Sequence, residues 1–404
     1  MHAEITKRRF MIKAIVNEGE RPTEIAHPEN NHAHPLSYLE LPYDPEYSLY
    51  NRRMTPERLN NVSDDEQYWA LRQKVIFRNT GEFPVEISGP DAEKFANYIF
   101  ARDISRVKVG RCSYNFALYN NGHIITDGVL LRFAQDRFWM VQADGELMTW
   151  YMAHLGLFDV NISDPNVWVT QIQGPKSMDL LSDVISGEFP VSWRYFDLCE
   201  VNIAGEKVII TRTGFSNELG WEIYLSPQND VEKIGNAIWA AGQKYGIILA
   251  GTPVFRARRI EAGLLSMADF VNCNPYEAGL GHFLNMDKTD FIGRNALQNV
   301  DKTSYTFGMR VRGGIAKHGK TLMSNGEVIG SVASSTWSPF QECGVAIVKL
   351  NNLETALGAE VEVVGIDGET YGAKICSLPM YDPEGTIVRG KNSNIPEGPN
   401  PWMG

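Results

Sequence analysis

An acidic residue inside an apolar hairpin is the first feature of this sequence that could support chemistry. Tyr114 begins a predicted strand that turns at Asn121-Gly122 and returns through an apolar pair to Asp127. An acid in that position is unusual, and it is either a functional carboxylate or an aspartate that caps the turn, which is a common role. The pattern alone favours the aspartate that caps the turn.

A second acid, Glu222, lies in another strand-like run. It alternates with Trp221 and Ile223, and Tyr224 follows two residues after it. Residues that alternate along a strand point to opposite faces, so Glu222 and Tyr224 share one face. A solvent-facing glutamate would give the same pattern, and the sequence by itself does not separate the two interpretations.

Common catalytic motifs are missing from the chain. It has no G-x-G-x-x-G, no P-loop motif, no G-x-S-x-G and no clear nucleophile–base pair, so no dinucleotide site, P-loop site or hydrolase elbow is indicated. The histidines His27, His32 and His34 could suggest a metal site, but no regular element holds them together, so scattered side chains on a solvated segment are favoured. We therefore expect no metal.

Composition narrows the class of protein. The 404 residues are 43% hydrophobic and 11% aromatic, which excludes a disordered chain, and the length suggests two or three domains. The net charge of −11 argues against a nucleic-acid partner but not against a small anionic ligand. No apolar run approaches the roughly 20 residues that span a membrane, so no membrane partner is expected. Five cysteines without C-x-x-C spacing favour a reducing cytoplasm.

A short internal repeat organises the middle of the chain. The pattern I-x-G-P-[DK]-[AS]-x-x-[FL] occurs at Ile87 and again at Ile172. Each copy predicts a strand, a glycine turn and a helix in whose first turn proline is tolerated. Two similar α+β units suggest an internal duplication.

Other segments predict the remaining architecture. Residues 1–60 lack sustained periodicity and predict an extended arm, and residues 61–300 predict two interleaved α+β domains. From about residue 301 to 390, short alternating strands with Asn325-Gly326 and Asp367-Gly368 turns predict a small β-barrel or sandwich. Residues 391–404 predict a tail. The fold class is therefore α+β.

Several segments, in order, resemble the aminomethyltransferase superfamily, named for the folate-dependent protein of the glycine cleavage system. The matching stretches are Ile172–Pro175, Arg212–Phe215, Gly220–Ile223, Arg259–Gly263 and Phe291–Leu297. The resemblance covers roughly residues 65–380. It implies a three-domain cloverleaf around a central channel for tetrahydrofolate, with a C-terminal β-barrel.

The resemblance also implies roles for single residues. Asp127 matches the family's functional aspartate near the reacting end of the folate, and Glu222 matches the glutamate that binds the pterin ring. A carboxylate suits that role because it accepts two N–H donors from an aminopyrimidinone edge. Tyr114 matches an aromatic position beside the folate, and Tyr224 is expected as a pterin neighbour.

Departures from the glycine-cleavage pattern point to another branch of the family. Thr126 stands where those members have a second acid, Phe255 stands at an arginine position, and Ala143, next to Asp144, stands near an asparagine position. Segments that resemble dimethylsulfoniopropionate demethylase are Ile260–Ser266, Pro275–Gly281 and Ser335–Pro339. Asn274–Glu277 together with Phe291–Arg294 also resembles the O-demethylases of methoxylated aromatic acids.

The favoured function is transfer of a methyl group from a small methylated donor, preferably a sulfonium, to N5 of tetrahydrofolate. Tetrahydrofolate is then the co-substrate, and no flavin is expected because no dinucleotide motif is present. A cationic donor could be held by cation–π contacts with tryptophans, for which the candidates are Trp193, Trp221 and Trp337. An ether donor would need a proton, which Tyr114, Tyr151 or His123 could supply.

Four alternatives remain, namely an O-demethylase, a glycine-cleavage aminomethyltransferase, an oxidative demethylase of sarcosine or dimethylglycine, against which the missing dinucleotide motif argues, and a folate-binding repair or iron–sulfur assembly factor. The last class carries a cysteine motif near Phe291–Leu297, which has no cysteine here. A homo-oligomer is possible. Local cations must bind any anionic part of the ligands, and the candidates are Arg256, Arg258 and Arg259.

Overall fold

The computed structural model describes residues 32–143, 145, 147–156, 158–187, 193–351, 353 and 357–404. The first half of the predicted arm, with His27, and also Asp144 lie outside the described residues. The α-helices are α1 (Asp64–Gln73), α2 (Ala92–Ile99), α3 (Leu147–Ala153), α4 (Ser177–Val184), α5 (Val231–Gly242), α6 (Thr252–Glu261) and α7 (Met267–Phe270).

The strands are numbered in chain order. They are β1 (His32–Ala33), β2 (Pro45–Tyr50), β3 (Arg53–Leu59), β4 (Ile76–Thr80), β5 (Phe83–Ser88), β6 (Arg111–Leu118), β7 (Ile124–Arg132), β8 (Arg137–Gln142), β9 (Asn161–Ser163), β10 (Trp168–Gln173), β11 (Ile185–Ser186), β12 (Leu198–Ile203), β13 (Glu206–Thr211), β14 (Gly220–Leu225), β15 (Ile248–Leu249), β16 (Thr306–Val311), β17 (Thr321–Ser324), β18 (Glu327–Ser338), β19 (Cys343–Leu350), β20 (Glu360–Val364) and β21 (Thr370–Cys376).

These strands form three open sheets and a closed barrel. The larger sheets have the orders β11-β12-β13-β14-β10-β4-β15 and β6-β7-β8-β5-β9, and a small sheet has the order β1-β3-β2. The barrel closes as β16-β19-β18-β17-β20-β21. The predicted α+β class and the C-terminal barrel are confirmed, and β17 and β21 are barrel strands that the sequence patterns did not reveal.

The internal repeat depends on one glycine in each copy. Gly89 and Gly174 have φ angles of 120° and 124°, which side chains rarely adopt. A Cβ atom would lie 2.8 Å from the Asp159 carbonyl oxygen at the first position and 2.6 Å from the Lys74 carbonyl oxygen at the second. Each glycine thus lets a strand turn tightly into α2 or α4, and the two larger sheets are built from the same local device.

The second half of the predicted arm is folded. Residues 32–59 form the small sheet, in which β1 pairs with β3 in parallel and β3 with β2 antiparallel. His34 accepts a hydrogen bond from the Leu36 N–H at Nδ1, so its Nε2 donates to the Val169 carbonyl at 3.1 Å. Burial and then Arg53 lower the pKa of His34 to about 3, so it is a neutral structural residue. These residues therefore do not form the predicted extended arm; their short strands pair with one another and pack against distant segments, which local periodicity does not reveal.

Leu36 anchors this region to the seven-stranded sheet. Its side chain is fully buried in the same core cluster as Phe77 and Ile234, and it fills the space that the missing side chain of Gly235 leaves on α5. We expect Leu36→Ala to lower the free energy of unfolding by at least about 2 kcal/mol, because a buried leucine is replaced by a cavity. Leu49, on β2, is 39% exposed and is the matched control.

Urea denaturation of both variants checks this expectation. Leu49→Ala should change the free energy of unfolding by no more than about 0.5 kcal/mol, as is usual for exposed positions. If Leu36→Ala were as stable as Leu49→Ala, residues 32–59 would not be docked on the body of the protein.

A buried ionic network joins α6 to the barrel and to α1. Glu261 accepts hydrogen bonds from the Tyr68 hydroxyl at 2.8 Å and from the Ser338 hydroxyl at 2.6 Å, and Arg258 donates to it at 3.2 Å. Arg258 also donates to Glu218 at 2.8 Å. Removing one partner from such a network leaves an uncompensated buried charge, so the network fixes where the barrel sits.

The last residues also lie against the body of the protein. The Asn400 N–H donates to the Phe340 carbonyl, and the Gln73 side chain on α1 donates to the Pro396 carbonyl at 2.9 Å. Before them, the chain from Ser377 to Arg389 runs along the central cavity. This stretch therefore contributes to the site.

Candidate active site

A cavity of about 1300 Å³ lies where the sheets, α6 and the C-terminal segment meet. Its walls come from the β2–β3 hairpin, the facing strands β6 and β7, strands β10 and β14, helix α6, and residues 377–389. Single small-molecule sites usually occupy about 300–1000 Å³. The cavity therefore has room for two ligands at once.

Asp127 and Tyr114 form a hydrogen-bonded pair in this wall. They lie on the neighbouring strands β7 and β6, where Asp127 is opposite Phe116, and the Tyr114 hydroxyl donates to Asp127 Oδ2 at 2.7 Å. Asp127 is inside β7 and 7% exposed, so it does not cap the turn. Burial raises the pKa of Asp127 to about 6, and the Tyr114 hydrogen bond opposes that shift.

Glu222 is the second acid of the cavity wall. It lies on β14, opposite Gln171 on β10, and is buried rather than solvent-facing. Its carboxylate accepts from the Thr213 hydroxyl at 2.6 Å, the Tyr224 hydroxyl at 3.1 Å and Gln171 Nε2 at 3.1 Å. Burial, followed by the nearby charge of Glu82, raises the pKa of Glu222 to about 7.

Tyr224 lies behind Glu222 rather than in the wall of the cavity. It is 2% exposed, and its hydroxyl donates to Glu222 while also lying 3.4 Å from the Thr211 hydroxyl. It shares a strand face with Glu222, as the sequence predicts. Its place in the structure is that of a residue that positions the glutamate, one layer back from a bound ligand.

Two buried acceptors beside Glu222 have no hydrogen-bond donor. They are Gln171 Oε1 and Glu82 Oε2, and both residues line the cavity. An unsatisfied buried acceptor costs about 1–3 kcal/mol. Both atoms are shielded from the cavity by neighbouring protein atoms, so a ligand edge that carries several N–H donors would reach them only if the two side chains turned toward it.

The sequence interpretation missed Gln171 and Glu82. Gln171 alternates with Gln173 in the otherwise mostly apolar strand β10, and a polar row in a buried strand was a usable signal. Glu82 lies in the short connection between β4 and β5, where an acidic residue is common and gives no sign of a site. Its importance comes only from the packing of two sheets.

The three candidate tryptophans do not line the cavity. Trp221 is fully buried in the core of the seven-stranded sheet, where its ring meets that of Trp193 edge to face with centroids 4.6 Å apart. Trp337, on barrel strand β18, is 38% exposed. A methyl donor bound in the cavity would therefore contact none of these three tryptophans. Two aromatic pairs do line the cavity, Tyr114 with Phe283 at a centroid distance of 4.9 Å and Tyr195 with Phe196 at 4.5 Å.

The three candidate arginines on α6 lie in different surroundings. Arg256 and Arg259 line the cavity, but Arg256 pairs with Glu57 at 3.5 Å and Arg259 pairs with Asp269 at 2.6 Å. Arg258 is fully buried in the ionic network that joins α6 to the barrel. The prediction that Arg258 binds an anionic ligand is therefore wrong, because consecutive helical residues point about 100° apart.

The three candidate proton donors lie in different surroundings. Tyr114 lines the cavity, whereas Tyr151 is fully buried in the core beside Phe95 and His123 is not part of the cavity wall. Burial and the neighbouring Asp127 carboxylate hold the pKa of Tyr114 well above its usual range, so it keeps its proton.

Within the described part of the chain, no three His, Cys, Asp or Glu side chains come together in a way that could hold a metal ion. Among the same residues, no helix has the length and apolar character needed to cross a membrane.

The fold and this cavity define a folate-dependent methyl or aminomethyl transferase, as comparison with known proteins establishes. Residues 28–288 match the GCVT N-terminal domain, and residues 303–382 match the glycine cleavage T-protein C-terminal barrel domain. The chain belongs to this family, so the resemblance seen in the sequence is confirmed.

Relatives within the family differ in their named activities. The chain is 32% identical over 335 residues to the dimethylsulfoniopropionate demethylase DmdA of Ruegeria pomeroyi, which covers 80% of this chain and 90% of that protein. It is 29% identical over 336 residues to an aminomethyltransferase of Symbiobacterium thermophilum, covering 78% and 88%.

Two further matches concern a longer relative and the fold. The trimethylamine-oxide aldolase of Ruegeria pomeroyi is 31% identical over 361 residues, which is 84% of this chain, although the chain spans only about half (46%) of that protein. The crystal structure of the glycine cleavage aminomethyltransferase T from Bartonella henselae matches with a TM-score of 0.76 at 22% identity, over 87% of this chain and 98% of that one.

Tetrahydrofolate, the family's substrate, fits the side of the cavity where Glu222, Gln171 and Glu82 lie. The aminopyrimidinone edge of its pterin carries several N–H donors, and Glu222, Gln171 and Glu82 present acceptors, two of which have no donor in the protein. Glu222 lines the cavity, and the pterin would satisfy the orphaned acceptors if the Gln171 and Glu82 side chains turned toward it.

Proposed function

We propose that this protein transfers a methyl group from a small methylated onium donor to N5 of tetrahydrofolate, with a sulfonium such as dimethylsulfoniopropionate favoured. The observation that carries the proposal is the buried Asp127–Tyr114 pair in a cavity with room for both ligands. A carboxylate beside aromatic rings is suited to a positively charged donor.

Three departures from the glycine-cleavage pattern support a demethylase. Phe255 and Ala143 line the cavity and supply no charge, and the Arg78 guanidinium lies 4.9 Å from the centroid of the Phe255 ring. Thr126 is buried and leaves Asp127 as the single acid of its pair. The similarity to DmdA over most of the chain supports the same branch.

The chemistry requires little from the protein beyond positioning. The N5 electron pair of tetrahydrofolate forms the new N–C bond, the C–S bond breaks with its electron pair on sulfur, and the N5 proton is released. The leaving thioether is neutral, so it needs no acid. Asp127 then has to hold the onium charge, and Glu222 has to fix the pterin so that the reacting atoms stay aligned.

An ether donor is less well supported. Its leaving phenoxide needs a proton or strong stabilisation, and the hydroxyl of the cavity candidate, Tyr114, is already engaged as a hydrogen-bond donor to Asp127. Aminomethyl transfer is the remaining alternative within the family, and it would yield a methylene rather than a methyl folate.

A donor panel tests the proposal. The protein is incubated with tetrahydrofolate and, in turn, a sulfonium acid, a quaternary ammonium acid, an amine oxide and a methoxylated aromatic acid, and the folate products are separated by mass. We expect 5-methyltetrahydrofolate with the sulfonium acid. Methylenetetrahydrofolate from any donor, with no methyl product, would refute the demethylase.

A further inference from the structure

We infer that the methyl donor is a zwitterion whose carboxylate is bound by Arg102, at the opposite end of Tyr114 from Asp127. This inference rests on the proposed function and adds a specificity-determining residue to it. Arg102 follows α2 in the chain, and neither sequence patterns nor the α6 arginines pointed to it.

Arg102 is held in the cavity wall by two contacts. Its Nη1 donates to the Tyr114 carbonyl at 3.1 Å, and its guanidinium lies 5.3 Å from the centroid of the Phe283 ring. Both neighbours line the cavity, and Tyr114 is the residue whose hydroxyl reaches Asp127. The guanidinium bonds the backbone carbonyl of Tyr114 and the Asp127 carboxylate bonds its hydroxyl, so both groups are held by the same residue.

No carboxylate of the described residues pairs with Arg102. Its neighbour in sequence, Asp103, pairs with Arg106 at 2.9 Å. Five other arginines line the cavity, and three of them, Arg111, Arg256 and Arg259, pair with acids. Arg78 donates to two carbonyls and the Thr252 hydroxyl, and Arg389 is exposed and donates to the Glu384 and Gly385 carbonyls. Nε and Nη2 of Arg102 donate to no described residue and are not sealed among protein atoms. An arginine has five N–H donors in a planar fork, so most of its capacity faces the cavity.

Partial burial of this unpaired cation favours the binding of an anion beside it. It is partly withdrawn from water, and burial lowers the pKa of Arg102 while leaving it protonated. A planar guanidinium with a free edge is the side chain best matched to a carboxylate. A ligand that spans Tyr114 would therefore place a negative end at Arg102 and a positive end at Asp127, which describes an onium acid.

The test separates this inference from the proposed function because it measures binding without turnover. The probes are the demethylated thioether acid CH3–S–CH2–CH2–COO⁻ and its neutral primary amide, titrated by calorimetry into the full-length protein saturated with tetrahydrofolate. We expect the wild type to prefer the acid by about ten- to 100-fold, the range of one or two charge-assisted hydrogen bonds.

Arg102→Gln should abolish that preference, because it weakens the affinity for the acid and leaves the affinity for the amide within about twofold. Arg102→Lys should recover part of it, because the charge remains while the fork is lost. Arg256→Gln is the matched control, since Arg256 also lines the cavity but is paired with Glu57, and it should keep the preference.

Three results would overturn the inference. Equal losses for acid and amide in Arg102→Gln would show a general packing effect. Unchanged acid affinity would show that the carboxylate binds elsewhere, and a loss confined to tetrahydrofolate would assign Arg102 to the folate's own carboxylates. Absence of methyl transfer in the wild type, with the acid preference intact, would instead refute the proposed function alone.

Discussion

Asp127→Asn is expected to lower kcat/KM for methyl transfer about 100- to 1000-fold and to leave the affinity for tetrahydrofolate within about twofold. Asparagine keeps the shape and still accepts the Tyr114 hydrogen bond, but it removes the negative charge from a buried position facing the onium. Losing one preorganised electrostatic partner of a reacting charge typically costs this much. Steady-state kinetics and folate titrations give the two values.

The pH dependence supplies an independent check of that role. Because the pKa of Asp127 is raised to about 6, the carboxylate is protonated below that pH and charged above it, so kcat/KM should rise as pH increases through about 6. Tyr114→Phe should move this rise to higher pH, since the hydroxyl normally lowers that pKa. Asp127→Asn should lack the rise. Full turnover in Asp127→Asn would exclude the residue from catalysis.

Glu222→Gln is expected to weaken tetrahydrofolate binding by about 100-fold while the residual kcat changes less. In the proposed complex the carboxylate accepts N–H donors from the pterin, and each hydrogen bond to a charged group contributes about 1.5–3 kcal/mol. The replacing amide presents an NH2 group to those donors. Because burial raises the pKa of Glu222 to about 7, wild-type affinity should also fall as the pH drops below about 7.

Tyr224→Phe is the control for this substitution. It removes one hydrogen bond to Glu222 without touching the cavity wall, so we expect only a few-fold loss of affinity and a higher pH for the decline. Calorimetric titration of tetrahydrofolate into the three proteins measures each effect. An unchanged dissociation constant in Glu222→Gln would mean that the pterin binds away from β14.

Local sequence rules predicted the repeated strand–turn–helix units well. Gly89 and Gly174 occupy turns in which a Cβ atom would meet a backbone carbonyl, and such a requirement is visible in the sequence as an invariant spacing within the repeat. The alternating strands and Asn-Gly turns of the barrel are equally local. Residues 32–59 were not predicted as strands because these strands are short and are stabilised by packing against distant segments.

The site was predictable only in part. The resemblance pointed to Asp127 and Glu222, but whether a strand face is buried depends on what packs against it. Strand geometry does show why Trp221 was a poor candidate for holding the methyl donor. Trp221 precedes Glu222 directly on β14, so the two side chains point to opposite faces and cannot both face the cavity.

The arginines illustrate a different limit. Helical geometry could have excluded one of the consecutive residues Arg258 and Arg259 from the cavity, but not decided which. Arg102 gave no sequence signal, since its interest lies in having no acid partner among residues far apart in the chain. Such information exists only in three dimensions.

The fate of a labelled methyl group tests the central claim most directly. The full-length protein is incubated with tetrahydrofolate and a sulfonium acid that carries trideuterated methyl groups on sulfur, and the folate product is analysed by mass spectrometry. Methyl transfer predicts 5-methyltetrahydrofolate with all three deuterium atoms, together with one equivalent of thioether acid. A methylenetetrahydrofolate that retains two deuterium atoms, or free formaldehyde with no methyl product, would contradict it.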